Sequence, residues 1–332
     1  MLPTVSIIIP TRNEEKFIEK CLRSFLDSDY PGELIEIIVV DGKSDDRTEE
    51  IVGKISSSDN RVQLIKNEKK ITPVAMNLGI KASKGEYVFF SGAHSEMPSD
   101  YVKKCIQHAL ETNADNVGGV VKTEPRVNSA VGRAIAEVLS HPIGVGGAKF
   151  RTGVSRPTEV DTVPFGCYKR EVFDRIGYFN EQLVRNQDIE LNLRLKRAGG
   201  KIVLFPDIEF TYFARSTYKD LWRNSFGNGY WVIAGSRFSN IPFSLRHIVP
   251  FLFVSFIVVF GLISIWVPLV RIFYLTIITL YISLLLIASL GISLRPGRFD
   301  LFLPAFTGFI VLHIAYGLGS LKGLVQRIFV HG

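Results

Sequence analysis

Three side chains combine a reactive type with a place after a predicted strand or at the start of a predicted helix: Asp41, His94 and Asp188. Asp41 closes the apolar run Ile37–Val40 and precedes Gly42. A carboxylate at a strand end can accept hydrogen bonds from a ribose hydroxyl or a base N–H. An Asp-Gly pair is equally a turn signal. His94 lies in Ser91-Gly-Ala-His94-Ser-Glu96, where an imidazole can bind a divalent cation or serve as a structural histidine. Asp188, in Asn186-Gln-Asp188, opens an amphipathic stretch. There a carboxylate can accept a proton from an attacking hydroxyl or favour the helix N-terminus by its charge alone. Glu190 would point about 200° away around the same helix, so the two acids serve different surroundings and Glu190 reads as a surface or ion-paired residue.

The elements that must position these groups alternate in kind. Val5–Ile9 is a β-branched run stopped by Pro10, and Ile35–Val40, Val62–Ile65 and Glu86–Phe90 are further strand-like runs. Between them lie helical patterns: one from Asn13, with Phe17, Cys21, Leu22 and Phe25 on one face, one capped by Ser44-Asp45-Asp46, and one over Thr72–Ala82. Parallel strands need crossover helices, so this succession predicts an α/β fold with a doubly wound sheet. Ligands in such sheets bind beyond the carboxyl ends of the strands, where the candidate residues fall. Further on, Tyr101–Thr112, Asn186–Ala198 and Thr217–Arg237 read as helices, Asn116–Lys122 and Lys201–Phe205 as strands, and the Gly-rich His141–Arg156 as a mobile loop or lid.

At these strand ends the chain resembles the family 2 glycosyltransferases, inverting enzymes of the nucleotide-diphospho-sugar transferase (GT-A) fold. It is most similar in kind to membrane-attached enzymes of bacterial exopolysaccharide assembly, of the succinoglycan glucosyltransferase type. The resemblance runs from Val5 to about Tyr230 through SIIIPTRNE at 6–14, IIVVDGKSDDRT at 37–48, TPVAMNLGIKASKGEYVFF at 72–90, FGCYKREVF at 165–173 and RNQDIELNLRLKRAGGKI at 185–202. It implies that Pro10, Glu14, Asp41, Lys70, Asn77, Gly92 and Ala93 bind the nucleotide-sugar, that His94 binds Mn2+ or Mg2+, and that Asp188 is the general base. The family's DXD-like motif reads Gly92-Ala93-His94 here, so its first position lacks a carboxylate; Glu96 is near enough in sequence to compensate. Lys69 and Arg151 are further candidates for a diphosphate. The QxxRW motif of processive synthases is absent, which disfavours a polymer synthase.

Composition narrows the setting. Hydrophobic residues at 47% and charged residues at 21% exclude a disordered chain. Cys21, Cys105 and Cys167 are odd in number and far apart, which argues against a disulfide framework or a zinc site. The net charge of +7 comes mostly from the tail, because six Lys/Arg and one Asp follow from Arg246 onward. A nucleic-acid partner therefore loses its support. That tail holds three apolar runs, each near the ~20 residues that cross a bilayer. A cytosolic glycosyltransferase domain at 1–240 and a transmembrane region at 246–332 are expected, with a bundle of about three transmembrane helices at roughly 248–270, 272–294 and 301–321. Arg271 would mark the first turn, and Arg295 with Arg298 the second; the third run either crosses or re-enters. Val5–Ile9 lacks the flanks of a signal peptide, so the first domain is placed in the cytosol, beside the cell membrane. The expected reaction is transfer from a nucleotide-sugar donor, a UDP-sugar, to a lipid-linked saccharide acceptor. The alternatives are a polyprenyl-phosphate glycosyl transferase of the dolichol-phosphate-mannose-synthase kind, and a catalytically impaired nucleotide-sugar-binding scaffold, to which Gly92 points.

Overall fold

The computed structural model describes residues 1–237 and 245–329. Two compact units emerge: residues 1–122 with 153–212, and 123–152 with 213–332. The expected boundary at 240–246 falls largely on 238–244, outside the described residues.

In the first unit, strands β1 (Val5–Thr11), β2 (Ile35–Asp41), β3 (Val62–Lys66) and β4 (Tyr87–Phe90) alternate with helices α1 (Ile18–Leu26), α2 (Thr48–Ser58) and α3 (Thr72–Ala82). These four strands pair in parallel, with Thr11 opposite Asp41, Asp41 opposite Lys66, and Ile8 opposite Phe90. Ile7, Ile8, Ile9, Ile37, Ile38 and Val39 are fully buried, as expected of strands covered on both faces. The chain continues through β5 (Ser95–Glu96), α4 (Tyr101–Thr112) and β6 (Asn116–Pro125). After the second unit's insertion come β7 (Thr158–Glu159), β8 (Cys167–Lys169), α8 (Glu171–Ile176), α9 (Gln187–Arg197) and β9 (Ile202–Ala214). The sheet runs β3-β2-β1-β4-β8-β6-β9-β5, with β8 antiparallel to β4 and β6, so the parallel half grades into a mixed one.

Local departures have physical causes. The first helix begins at Ile18, not Asn13, because Asn13 adopts φ 55° and its side chain is committed to the neighbouring loop. The stretch 141–156, expected as a mobile loop, carries two short helices: after α5 (Ala130–Ser140) come α6 (Pro142–Val145) and α7 (Lys149–Thr152). Pro142 starts α6 at its first position, where its missing N–H costs nothing, and Gly146 ends it at φ 60°. All three cysteines are buried and free.

The second unit adds α10 (Tyr218–Ala234), α11 (Leu245–Ile263), α12 (Pro268–Ser293) and α13 (Phe302–Phe329). Among the described residues, two helices, Pro268–Ser293 and Phe299–Ile328, are long and apolar enough to cross a membrane; the apolar part of α11, His247–Ile263, is shorter. The run expected at 248–270 is thus divided. Pro268 opens α12, and Arg271 lies in its first turn instead of marking the hairpin. The Arg271 guanidinium reaches back to the Ser264 and Ile265 carbonyls at 2.9 and 2.8 Å, satisfying the end of α11. His313, an ionisable group deep in the apolar runs, is engaged at both ring nitrogens: 3.1 Å to the Tyr281 hydroxyl on α12 and 2.9 Å to the Ile143 carbonyl. This is the helix–helix role that such a residue takes in an apolar setting.

Small residues let α10 and α13 approach closely. A Cβ on Gly319 would stand 2.1 Å from the Phe226 carbonyl oxygen, and one on Gly229 2.0 Å from that of Tyr316. The Ser320 hydroxyl donates to the Gly229 carbonyl at 3.1 Å. Gly319→Leu is expected to force these helices apart, at a cost of about 1–3 kcal/mol, and to lower the thermal midpoint in detergent. Gly291→Ala, within α12 and where an added Cβ meets nothing within 4 Å, should not lower that midpoint.

Candidate active site

β1, β2 and β3 end level, and β4 stops three residues earlier, opposite Ile8, so the loops that follow all leave from one edge of the sheet. The loops after β1 and β2 are laced together by side chains accepting or donating to backbone. Asn13 donates its N–H to the Ser44 hydroxyl at 2.9 Å and accepts from the Asp45 N–H at 2.8 Å. The Glu14 N–H donates to Thr48 at 2.8 Å, and the Glu15 N–H to Asp46 at 3.1 Å. Asp46 also accepts from the Thr48 N–H at 3.0 Å, which is the capping role read for it from the sequence. Gly42 and Asn67 tie the second and third loops in, through Thr11 and Asp41 carbonyls at 2.8 and 2.7 Å.

These loops enclose a cavity of about 370 Å³. Pro10, Glu14, Lys70, Gly92, Ala93, His94 and Asp188 all line it, so seven of the residues singled out in the sequence come together. Asp41 and Asn77 do not line it. Asp41 is 1% exposed, and Ser44 occupies both its oxygens: the backbone N–H at 2.9 Å and the hydroxyl at 2.5 Å. Its turn-forming role is thus realised, with Gly42 facing the cavity in its place. Asn77, expected as a nucleotide-sugar contact, is corrected to a buried clamp. Its amide donates to the Phe179 carbonyl at 2.9 Å and to Glu181 at 3.1 Å, and accepts from the Phe179 N–H at 2.9 Å. Glu96 does not reach toward His94 to compensate for Gly92; it pairs with Lys20 at 2.7 Å. Lys69 pairs with Glu181 at 3.1 Å. Arg151 belongs to the second unit, where it donates to Thr123 at 3.3 Å.

The residues missed in the sequence shape the wall. Phe165 adopts φ 50°, held by the Tyr101 hydroxyl, which donates to its carbonyl at 3.0 Å, and by its ring contact with Phe210 at 5.2 Å. A Cβ on Gly92 would lie 3.1 Å from the Phe165 ring. Lys70 and Asn186 also sit at positive φ, 60° and 61°, so the cavity edge carries several residues in the left-handed region that non-glycine side chains rarely adopt. Asn186 turns the chain into α9 and so sets Gln187 and Asp188 at the cavity in the first helical turn.

Asp188 opens onto the cavity but has protein on most sides. Desolvation pushes its pKa above the usual carboxylate range, outweighing the N–H groups of Ile189 and of Asp188 itself, which favour the charged form. Beneath it, the Tyr168 hydroxyl donates to Asn192 Oδ1 at 2.9 Å, Asn116 donates to the same oxygen at 3.0 Å, and Asn192 donates to Thr162 at 2.8 Å. Burial, and then the Asp188 charge, raises the Tyr168 phenol, which therefore stays protonated. Glu190 is buried in place of the expected surface position, paired with Arg194 at 2.8 Å. His94 stands across the cavity wall, its Nδ1 3.2 Å from Glu14 Oε1 and its ring edge-on to Tyr212 at 5.2 Å. Among the described residues, no three His, Cys, Asp or Glu side chains converge as a preformed metal site. The donors available at the cavity are thus an imidazole and a carboxylate, which fit a cation only where a ligand's own oxygens complete the coordination.

The chain is similar to several known proteins. A dolichyl N-acetyl-alpha-D-glucosaminyl phosphate 3-beta-D-2,3-diacetamido-2,3-dideoxy-beta-D-glucuronosyltransferase of Methanococcus voltae is 29% identical over 97% of each chain. The succinoglycan biosynthesis protein ExoA of Rhizobium meliloti is 30% identical over 67% of each. A mannosyltransferase of Pyrobaculum calidifontis, solved with GDP-Man and Mn2+, shares the fold with a TM-score of 0.59 at 16% identity, covering 100% of this chain and 89% of its own.

Asp41→Ala should free Ser44 and unlatch the second loop. Thermal melting is expected to read a loss of about 1–3 kcal/mol, that of one buried, charge-assisted hydrogen-bond pair. An unchanged midpoint would contradict the strut role of Asp41. Residues 6–177 match glycosyl transferase family 2, and the chain is a member of that family, a glycosyltransferase of the GT-A fold.

Proposed function

We propose that this glycosyltransferase is an inverting enzyme that moves a sugar from a nucleotide-diphospho-sugar, a UDP-sugar, to a lipid-linked saccharide acceptor during exopolysaccharide or cell-envelope glycan synthesis. One observation carries the reading: a desolvated carboxylate, Asp188, and an imidazole, His94, face a single cavity of about 370 Å³ between the loops of a GT-A sheet. The donor's diphosphate lies on the His94 side, against Pro10, Lys70, Gly92 and Ala93. Asp188 accepts the proton of the acceptor hydroxyl as its oxygen attacks the anomeric carbon. The bond to the diphosphate breaks on the opposite side, and the nucleoside diphosphate leaves with the electron pair, inverting the centre. The elevated pKa of Asp188 makes it a stronger base than an exposed aspartate.

Charge supports a cation requirement. Arg12 and Lys70 among the lining residues are matched by Glu14 and Asp188, so a diphosphate brings negative charge that the wall does not offset. Mn2+ or Mg2+, bound with the donor, would supply that compensation at the leaving oxygen. Residues for it are at hand in His94 and its neighbour Glu14. Two things support the acceptor assignment. The apolar helices favour attachment to the cell membrane, and the name of the Methanococcus voltae relative specifies a lipid-linked sugar acceptor; in this reading the enzyme is multi-pass with its catalytic unit cytosolic. That relative favours an elongating enzyme over transfer to bare polyprenyl phosphate. A monosaccharide on a lipid monophosphate as product would reverse that preference.

Asp188→Asn should lower turnover by about 10²-fold or more while sparing donor affinity, since it removes proton acceptance alone. In the wild type, activity should fall as pH drops through the raised pKa of Asp188, because the protonated carboxyl cannot act as base; this acid limb should lie above the ordinary carboxylate range. The variant's residual activity should lack that limb. Product assays across pH with UDP-sugars and membrane acceptor lipid check both, and a variant of wild-type turnover would contradict the assignment.

A further inference from the structure

We infer that the carboxylate missing at Gly92 is supplied by Glu14, so that Glu14 and His94 form the protein's half of the cation site; this deepens, and rests on, the metal-assisted reading above. Three observations carry it. First, the place of a carboxylate on residue 92 is tight: a Cβ there stands 3.1 and 3.3 Å from two atoms of the Phe165 ring, which packs on Phe210 while Tyr101 holds the Phe165 carbonyl. A side chain at residue 92 would need that ring to give by a few tenths of an ångström, so glycine suits the local packing. Second, Glu14 is the carboxylate that meets His94, with Oε1 3.2 Å from Nδ1, while Glu96 is turned to Lys20. Both partners line the same cavity and are largely shielded from solvent.

Third, the two groups already adjoin: Nδ1 and Oε1 are hydrogen-bonded at 3.2 Å, close enough for one ion to take the place of the shared proton. An imidazole nitrogen and a carboxylate oxygen in that relation can both turn to one Mn2+ or Mg2+ with little movement, leaving the other positions to diphosphate oxygens and water. Glu14 is fixed for this by its backbone: its N–H donates to Thr48 at 2.8 Å, and its carbonyl accepts from Phe17 and Ile18, both at 2.9 Å. Glu14 thus changes part, from a contact of the nucleotide to a ligand of the ion.

The test uses the full chain in detergent with UDP, titrating Mn2+ and reading the free ion by electron paramagnetic resonance. Glu14→Gln keeps the size and a hydrogen bond to His94 but replaces the anionic donor. It is expected to weaken Mn2+ uptake about tenfold or more, while UDP affinity measured calorimetrically in EDTA stays at the wild-type value. Wild-type uptake of Mn2+ by Glu14→Gln would overturn this inference and leave a cation held through His94. Loss of metal-free UDP affinity in Glu14→Gln would overturn it in favour of a nucleotide contact. A wild-type chain that binds UDP but takes up neither Mn2+ nor Mg2+ would overturn the metal reading itself.

Discussion

The parallel register of four strands, three ending level and β4 three residues short of them, is the constraint on which the site depends. The register that sets Thr11 beside Asp41, and Asp41 beside Lys66, brings the loops after β1, β2 and β3 to one edge, and Ile8 beside Phe90 adds the loop after β4. Since side chains alternate across a strand, a slip of one residue would invert these faces and disperse the loops. The short loops gathered there are fastened to one another by Asn13, Ser44, Asp46, Thr48 and Asn67, whose side chains satisfy backbone groups that no strand can reach. Asp41 belongs to this fastening. Its burial makes it a strut of the second loop, which presents Gly42 to the cavity.

On the facing side a different device sets Asp188. A left-handed Asn186 starts α9, and the buried cluster of Asn116, Tyr168, Asn192 and Thr162 supports its inner face. Gly166 admits the cluster, since a Cβ there would lie 2.1 Å from Asn116 Oδ1. Displacing the paired groups of this network would leave them unpaired in a poor solvent, as Asn116 Oδ1 already is among the described residues. The carboxylate it carries is therefore held in place and poorly hydrated at once. Those are the two properties a proton acceptor needs when the competing base is water.

Much of this was legible in the sequence because it rests on periodicity. The four parallel strands, the helices at 72–82 and 101–112, and the apolar tail follow from runs and faces that local patterns specify. His94 and the strand-end loops are singled out because ligands in such sheets gather where strands stop, and Asp188 by the resemblance to the family 2 glycosyltransferases. The remainder depends on tertiary contact. Asn77 is an amide in a plausible place, and only its pairing with Phe179 shows that it is spent on packing. Phe165 carries no signal of its left-handed backbone, which Tyr101 imposes from another element. The first apolar tail run looked continuous because composition does not reveal that Pro268 begins a helix and Arg271 caps the one before it.

The central claim is that one cavity holds the activated sugar between His94 and Asp188. A crystal structure of the chain with a nonhydrolysable UDP-sugar and Mn2+ measures this directly. The account predicts the diphosphate beside His94, with the anomeric carbon facing the Asp188 carboxylate across space for an acceptor hydroxyl. A nucleotide bound outside this cavity, or one whose base rather than sugar meets Asp188, would contradict it.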